Sequence, residues 1–360
     1  MERMAHSSFR RVFVVLPAVL GLAVLVGAGA AAAGPGPYVS HDIRPGAGVT
    51  RVGWLSEYHP ALKGTPGDTR VYVLEGSEPG ATVFVAGGTH GNEIAGAMAA
   101  TVLVEKAVVT QGRLIVIPRA NNSAATYAEI EYGDPGQIWL VTPSGPRAFR
   151  YGARRTHPDH QGVPDPAVFV HPLGAEFEGA ESRNLDRVHP GRADGTLTEQ
   201  VSYAIVELLR REKVHVAFDL HEAGPTSRLA NMLVSHPKGL EIGALALLNL
   251  EYEGISMKLE HSSVDFRGLS HREWGDATPA YSYLIETPNP AQASAGSDER
   301  RNADPVNDPE SPLWKRVGTH LDTVRSVLDA FAMTDPGFAF SYAAPGYAEL
   351  EARGLGASLN

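Results

Sequence analysis

The chain has 360 residues, a net charge of −10 and no cysteine. Without cysteine there are no disulfides, thiolate ligands or thiol nucleophile, so a bound metal must be held by His, Asp or Glu. An acidic chain with no basic run also argues against nucleic acid as a partner.

Residues 1–33 read as a signal peptide. Arg3, Arg10 and Arg11 make a basic start, residues 12–28 are apolar, and the alanine-rich end offers several A-x-A cleavage sites. Arg10-Arg11 resembles a twin-arginine signal, and the expected location is periplasmic or extracellular. The rival reading is an uncleaved N-terminal membrane anchor, since the apolar run is nearly long enough to span a bilayer. With this segment set aside, 327 residues remain at a charge of −12, enough for one large α/β domain or two small ones. Residues 34–50 are Gly/Pro-rich and read as a linker, residues 51–335 as the folded domain, and residues 336–360 as a C-terminal tail.

Within the domain, residues 69–74 alternate like a strand, and Glu78-Pro79-Gly80 turns them into an apolar strand at 81–86. Gly87-Gly88-Thr89-His90-Gly91-Asn92-Glu93 follows, then a small-residue helix to about residue 106 and a strand at 112–117. This β-α-β order implies parallel strands with helices on the sheet faces. Ligands on such sheets gather beyond the carboxyl ends of strands, where His90, Arg119, Asn121 and Asn122 fall. An imidazole and a carboxylate three residues apart on a strand-to-helix turn can converge on one ion, and zinc accepts that pair.

Residues 127–180 show no clear periodicity and read as an insertion, either a surface excursion or a lid over a site. A helix is expected over 198–211, with Val201, Ile205, Leu208 and Leu209 on one face. It feeds a strand at 214–222 that ends in Asp219-Leu220-His221-Glu222. His221 therefore sits at the level of His90, with Asp219 or Glu222 available to fix its tautomer. A strand at 229–234, a helix near 239–250, a strand at 280–286 closing on Glu286, and a final helix at 314–331 complete the pattern. A glutamate ending an apolar strand is awkward to bury without a task, and its placement suits a general base.

Four motifs now stand in order: G-G-T-H-G-N-E, R-N-L-D-R-V-H-P-G over 183–191, F-D-L-H-E and L-I-E-T. Together they resemble the zinc carboxypeptidase superfamily, and most closely its succinylglutamate desuccinylase/aspartoacylase branch. The resemblance implies a central mixed, mostly parallel eight-stranded sheet flanked by helices. It implies one zinc per chain on His90, Glu93 and His221, with Glu286 as general base and acid. It implies a small N-acyl amino acid or a short peptide as substrate, a deacylase or a metallocarboxypeptidase as activity, and a non-catalytic zinc module as the non-enzyme alternative. For the arginine that polarises the carbonyl, Arg183 and Arg119 are the candidates. The branch's D-L-N-R segment appears here as Asn184-Leu185-Asp186-Arg187. The Asp that supports a zinc histidine has thus become Asn184, and the Asn-Arg pair that grips a substrate carboxylate has become Asp186-Arg187.

Overall fold

A computed structural model describes residues 43–129, 135–292 and 304–360. The expected signal segment and the first part of the linker lie outside the described residues. Strands β1 (Arg51–Trp54), β2 (Arg70–Glu75) and β3 (Glu78–Gly87) lead through helix α1 (Ile94–Lys106) to β4 (Val108–Ile117). Two hairpins follow, β5 (Gln137–Thr142) with β6 (Gly145–Arg150), and β7 (Val168–Val170) with β8 (Glu176–Glu178), separated by the single turn of α2 (Pro158–Gln161). The chain continues through α3 (Leu197–Arg211), β9 (Val216–Ala223), β10 (Met232–Ser235), α4 (Leu240–Tyr252), β11 (Lys258–His261), α5 (Ser270–Ala277) and β12 (Tyr281–Pro288). It ends with α6 (Leu313–Thr334), β13 (Ser341–Ala343) and α7 (Tyr347–Arg353).

The main sheet is mixed, as the resemblance implies. Its order is β1-β2-β4-β3-β9-β12-β10-β11, eight strands, with β13 pairing onto β4 as a ninth. The central run β4-β3-β9-β12 is parallel throughout. Both faces are covered, which is why β3 reads as a continuous apolar run. Val83 and Val85 join one core with α1, α4 and α6, while Phe84 and Ala86 join the other with α3 and Trp274 of α5. Helix α3 starts on a capping box, the Thr196 hydroxyl facing the Glu199 amide and the Glu199 carboxylate accepting from the Thr196 amide. The small residues of α1 have a steric reason: a Cβ on Gly96 would meet the Leu220 carbonyl of β9 at 2.2 Å.

The insertion is partly built into the core. Ile138, Leu140, Phe149 and Tyr151 join the core that α1, α4 and α6 share, while Trp139 and Val141 point outward. Residues 336–360 also pack back, through β13 and through α7 against α6. No helix among the described residues is long and apolar enough to cross a membrane.

Candidate active site

Strand alternation places the central residues. Phe218 and Leu220 of β9 face one core, so Asp219 and His221 face the other way together. Glu286 of β12 is the register partner of His221 in the adjacent parallel strand, and paired residues share a face. His90 arrives from the turn after β3. That turn is pinned by the insertion: the Gly91 amide donates to the Ala153 carbonyl at 2.7 Å, and the Gly152 amide donates to the Gly91 carbonyl at 2.8 Å. A Cβ on Gly91 would come within 2.7 Å of the Ala153 oxygen, so only glycine allows this approach.

His90, Glu93 and His221 are buried and converge, their candidate ligand atoms all within 4.8 Å of one another. Glu93 lies 2.7 Å from His90 Nδ1 through Oε1 and 3.0 Å from His221 Nδ1 through Oε2. The outer ring nitrogens are held from behind. His90 Nε2 is 2.8 Å from Asn184 Oδ1. His221 Nε2 is 2.9 Å from Asp219 Oδ2, although the pair is not aligned as a hydrogen bond. Asp219 also accepts from the Thr89 hydroxyl at 2.8 Å. Glu222 is used elsewhere, accepting from the Ala95 amide, Asn289 and Arg316.

The Asn184 amide fixes the tautomer of His90. Its oxygen accepts from the Asp186 amide at 3.0 Å, and its Nδ2 donates to Glu181 Oε2 at 2.6 Å. The oxygen therefore faces His90, so Nε2 carries a proton. Burial, then the Arg154 charge, lowers the His90 pKa and favours the neutral ring, which leaves Nδ1 an acceptor, 3.4 Å from the Arg154 guanidinium. A lone pair facing a carboxylate oxygen at 2.7 Å is repulsive unless a cation or proton lies between them. Burial opposes ionisation of Glu93, yet His90 and His221 hold its carboxyl well below the usual range. Burial likewise opposes protonation of His221, yet Asp219 and Glu93 raise its imidazole well above the usual range. Two imidazoles and a carboxylate with backed outer nitrogens fit a catalytic zinc donor set.

Glu286 is 8% exposed, and its Oε2 has no hydrogen-bond partner among the described residues. Burial, then the Glu93 charge, pushes its carboxyl well above the ordinary carboxylate range. It shares a cavity of about 270 Å³ with His90, Glu93, His221, Asp186, Arg187 and Arg154. Asp186 is mostly engaged: Oδ1 accepts from the Ser270 amide at 2.8 Å, and Oδ2 lies 3.6 Å from Arg187.

The two arginines named from sequence do not line this cavity. Arg183 is bound to Asp165 at 2.8 Å and to the Thr156 carbonyl at 2.7 Å. Arg119 is buried beneath the turn, its own carbonyl accepting from Thr69. Arg154 reaches the site instead, 3.1 Å from Glu93 Oε1. Gln292, also missed in the sequence, donates to the same oxygen at 3.2 Å.

Three further buried histidines are held neutral. Burial lowers His189 and His271 to about 4 and His320 to about 3. His189 Nδ1 accepts from the Trp274 indole at 3.2 Å and faces the Ser202 hydroxyl at 2.6 Å, so its proton sits on Nε2. The unfolded chain protonates such residues near pH 6.5, whereas the folded chain resists until near pH 4. Their contribution is complete at pH 7 and is lost as pH falls through that window, at up to about 3 kcal/mol for His189 and His271 and about 5 kcal/mol for His320. Urea unfolding followed by circular dichroism should show stability dropping steeply between pH 6.5 and 4.5. A flat profile there would show that these rings are solvated.

Solved structures similar to this one share little sequence with it. A succinylglutamate desuccinylase from Silicibacter sp. TM1040 has 20% identity, a TM-score of 0.43, and coverage of 74% of this chain and 61% of that one. The product-bound ectoine utilization protein EutE (DoeB) from Ruegeria pomeroyi has 19% identity, a TM-score of 0.42 and coverage of 72% and 60%. The tripeptide-bound cell shape determinant Csd4 from Helicobacter pylori has 10% identity, a TM-score of 0.44 and coverage of 79% and 59%. This chain thus spans about three fifths of the length of each. No curated protein matches the sequence. The model of the succinylglutamate desuccinylase/aspartoacylase catalytic domain matches residues 79–277, more than half of the chain, and the chain belongs to that family.

Proposed function

We propose that this chain is an exported, zinc-dependent amide hydrolase that removes the acyl group from an N-acyl amino acid. The observation that carries this reading is the convergence of His90 Nδ1, Glu93 and His221 Nδ1 beside the buried carboxyl of Glu286, in one cavity with Arg154. Export is supported by the basic start, apolar core and small-residue end of residues 1–33.

Zinc held by His90, Glu93 and His221 supplies Lewis acidity and makes water a competent nucleophile near neutral pH. The rest is the work of the chain's own groups. Glu286 takes a proton from the attacking water and delivers it to the leaving nitrogen, a role suited to a carboxyl that burial and the Glu93 charge push above the ordinary carboxylate range. The Arg154 guanidinium donates to the oxygen that becomes negative as the carbonyl is attacked. Asn184 orients the His90 imidazole through a hydrogen bond, and the Asp219 carboxylate stands 2.9 Å behind that of His221. Arg187 is the cation available to a substrate carboxylate, with Asp186 beside it.

A short peptide is the second reading, favoured by the export segment. The deciding experiment is a screen of zinc-loaded mature protein against N-acyl amino acids and short peptides, with Glu286→Gln as control. Turnover of neither class would leave a zinc-binding module without catalysis. Arg154→Ala should cost roughly 100- to 1000-fold in kcat, the span for one lost oxyanion donor, with zinc retained. Unchanged kcat would remove Arg154 from the mechanism. Asp186→Asn should improve turnover of carboxylate-ended N-acyl amino acids, because it removes a negative charge beside Arg187. An unchanged rank order of kcat/KM across substrates would show that Asp186 serves only Ser270 and Arg187.

A further inference from the structure

We propose that Glu181 is a positioning residue for the metal-binding His90, acting through the amide of Asn184. The inference rests on the metal-site reading above and concerns residues that this chain does not share with the family pattern. At the place of the supporting Asp this chain has Asn184, a neutral group. A neutral amide makes the imidazole behind it a weaker donor than a carboxylate would. The structure places a carboxylate one step further out. His90 Nε2, Asn184 Oδ1, Asn184 Nδ2 and Glu181 Oε2 form a continuous line at 2.8 and 2.6 Å.

The amide cannot turn out of this line. Its oxygen also accepts from the Asp186 amide and its nitrogen faces an acceptor-only carboxylate, so a flip would break three contacts. Asn184 is fully buried, and Glu181 is partly buried, with its side chain 14% exposed. A charge on one end of an amide polarises the other, and where the linking amide is buried water screens the effect less than it would at the surface. The Glu181 charge therefore makes Asn184 Oδ1 a better acceptor, and His90 Nδ1 a more basic donor, than an isolated asparagine could.

Glu181 is itself secured. Arg155 donates to its Oε1 from Nε at 2.8 Å and from the guanidinium end at 2.5 Å, and Arg187 lies 3.6 Å from its Oε2. Against burial, Asn184 and Arg155 keep its carboxyl below the ordinary range, so it stays charged at working pH. Arg187 also lines the cavity. The same carboxylate thus links the arginine available to substrate with the imidazole that holds the ion.

The test is zinc affinity by chelator competition on the mature protein, with melting of the chelator-treated protein as the structural control. Glu181→Gln keeps the shape and an acceptor oxygen but removes the charge, and should weaken zinc binding by roughly 10-fold with little change in melting. Asn184→Asp alone sets two carboxylates against each other and should weaken binding too. The double variant Asn184→Asp, Glu181→Gln moves the carboxylate directly behind His90, with an amide to donate to it, and should restore affinity to within a few-fold of wild type. Affinity of Glu181→Gln within twofold of wild type overturns the proposal. So does a double variant no better than its weaker single parent, because a purely structural defect would accumulate. His90→Ala is the control for the site itself. If it retains full zinc, the metal-site reading falls and takes this inference with it. If it loses zinc while Glu181→Gln does not, the inference alone falls.

Discussion

Glu286→Gln is expected to lower kcat roughly 10,000-fold, the upper end of what one general acid-base group supplies, while KM and zinc content change little. The substitution conserves volume on a strand whose neighbours are closely packed, so β12 keeps its register. What it removes is the only proton carrier assigned to both halves of the reaction, and that is why the loss should sit at the top of the range. Stability gives an independent check on the cause. A carboxyl whose folded pKa is raised above its unfolded value binds its proton more tightly in the folded state. It therefore destabilises the fold as pH rises through the unfolded pKa, and glutamine abolishes that cost. The melting temperature at pH 7 should hold or rise as activity collapses. A variant that melts earlier in proportion to its lost activity would show Glu286 to be a structural residue.

The parts of the site that could be read from the sequence share a physical origin. His90, His221 and Glu286 each follow or close a strand, and their elements are marked by apolar runs long enough to expose the strand-end level. Once β3, β9 and β12 are neighbours in a parallel sheet, the three meet without further information. Arg154 carried no such mark. It comes from an insertion whose first hairpin hides its alternation, because the outward residues Trp139 and Val141 are as apolar as the inward Ile138 and Leu140. It reaches the cavity through the contact between Gly91 and Gly152-Ala153, a long-range backbone approach with no local pattern. Arg183 and Arg119 stand next to recognisable motifs, which made them visible, but Asp165 and burial beneath the turn keep them from the cavity. Helix α5 was missed for a simpler reason. Its eight residues, Ser270–Ala277, follow Leu269, an N-cap without a capping side chain, and Trp274 is its only large apolar residue. The tail was silent too, since β13 is three residues long and owes its existence to the free edge stretch of β4.

Removing the ion should abolish turnover, and one equivalent of zinc per chain should restore it. His90→Ala and His221→Ala should each bind zinc more than 100-fold more weakly than wild type, beyond the span seen when only a supporting residue is lost. The two histidines should differ in how they respond to protons. His90 is held neutral by burial and by Arg154, so zinc would meet an unprotonated Nδ1 there. His221 lies between the carboxylates of Asp219 and Glu93, which favour its protonated form. Zinc must displace that proton, because a metal-bound imidazole is neutral on the coordinating nitrogen. Binding at pH 7 should therefore release close to one proton, and the affinity should weaken as pH falls. Calorimetry of zinc binding in buffers of different ionisation enthalpy measures that number directly. Asp219→Asn should lower it, since one of the two carboxylates that favour the protonated His221 is gone, and should weaken zinc binding by roughly 10- to 100-fold. Release of no protons by the wild-type chain would mean that His221 is already neutral, and full zinc content in both alanine variants would place the ion on other residues.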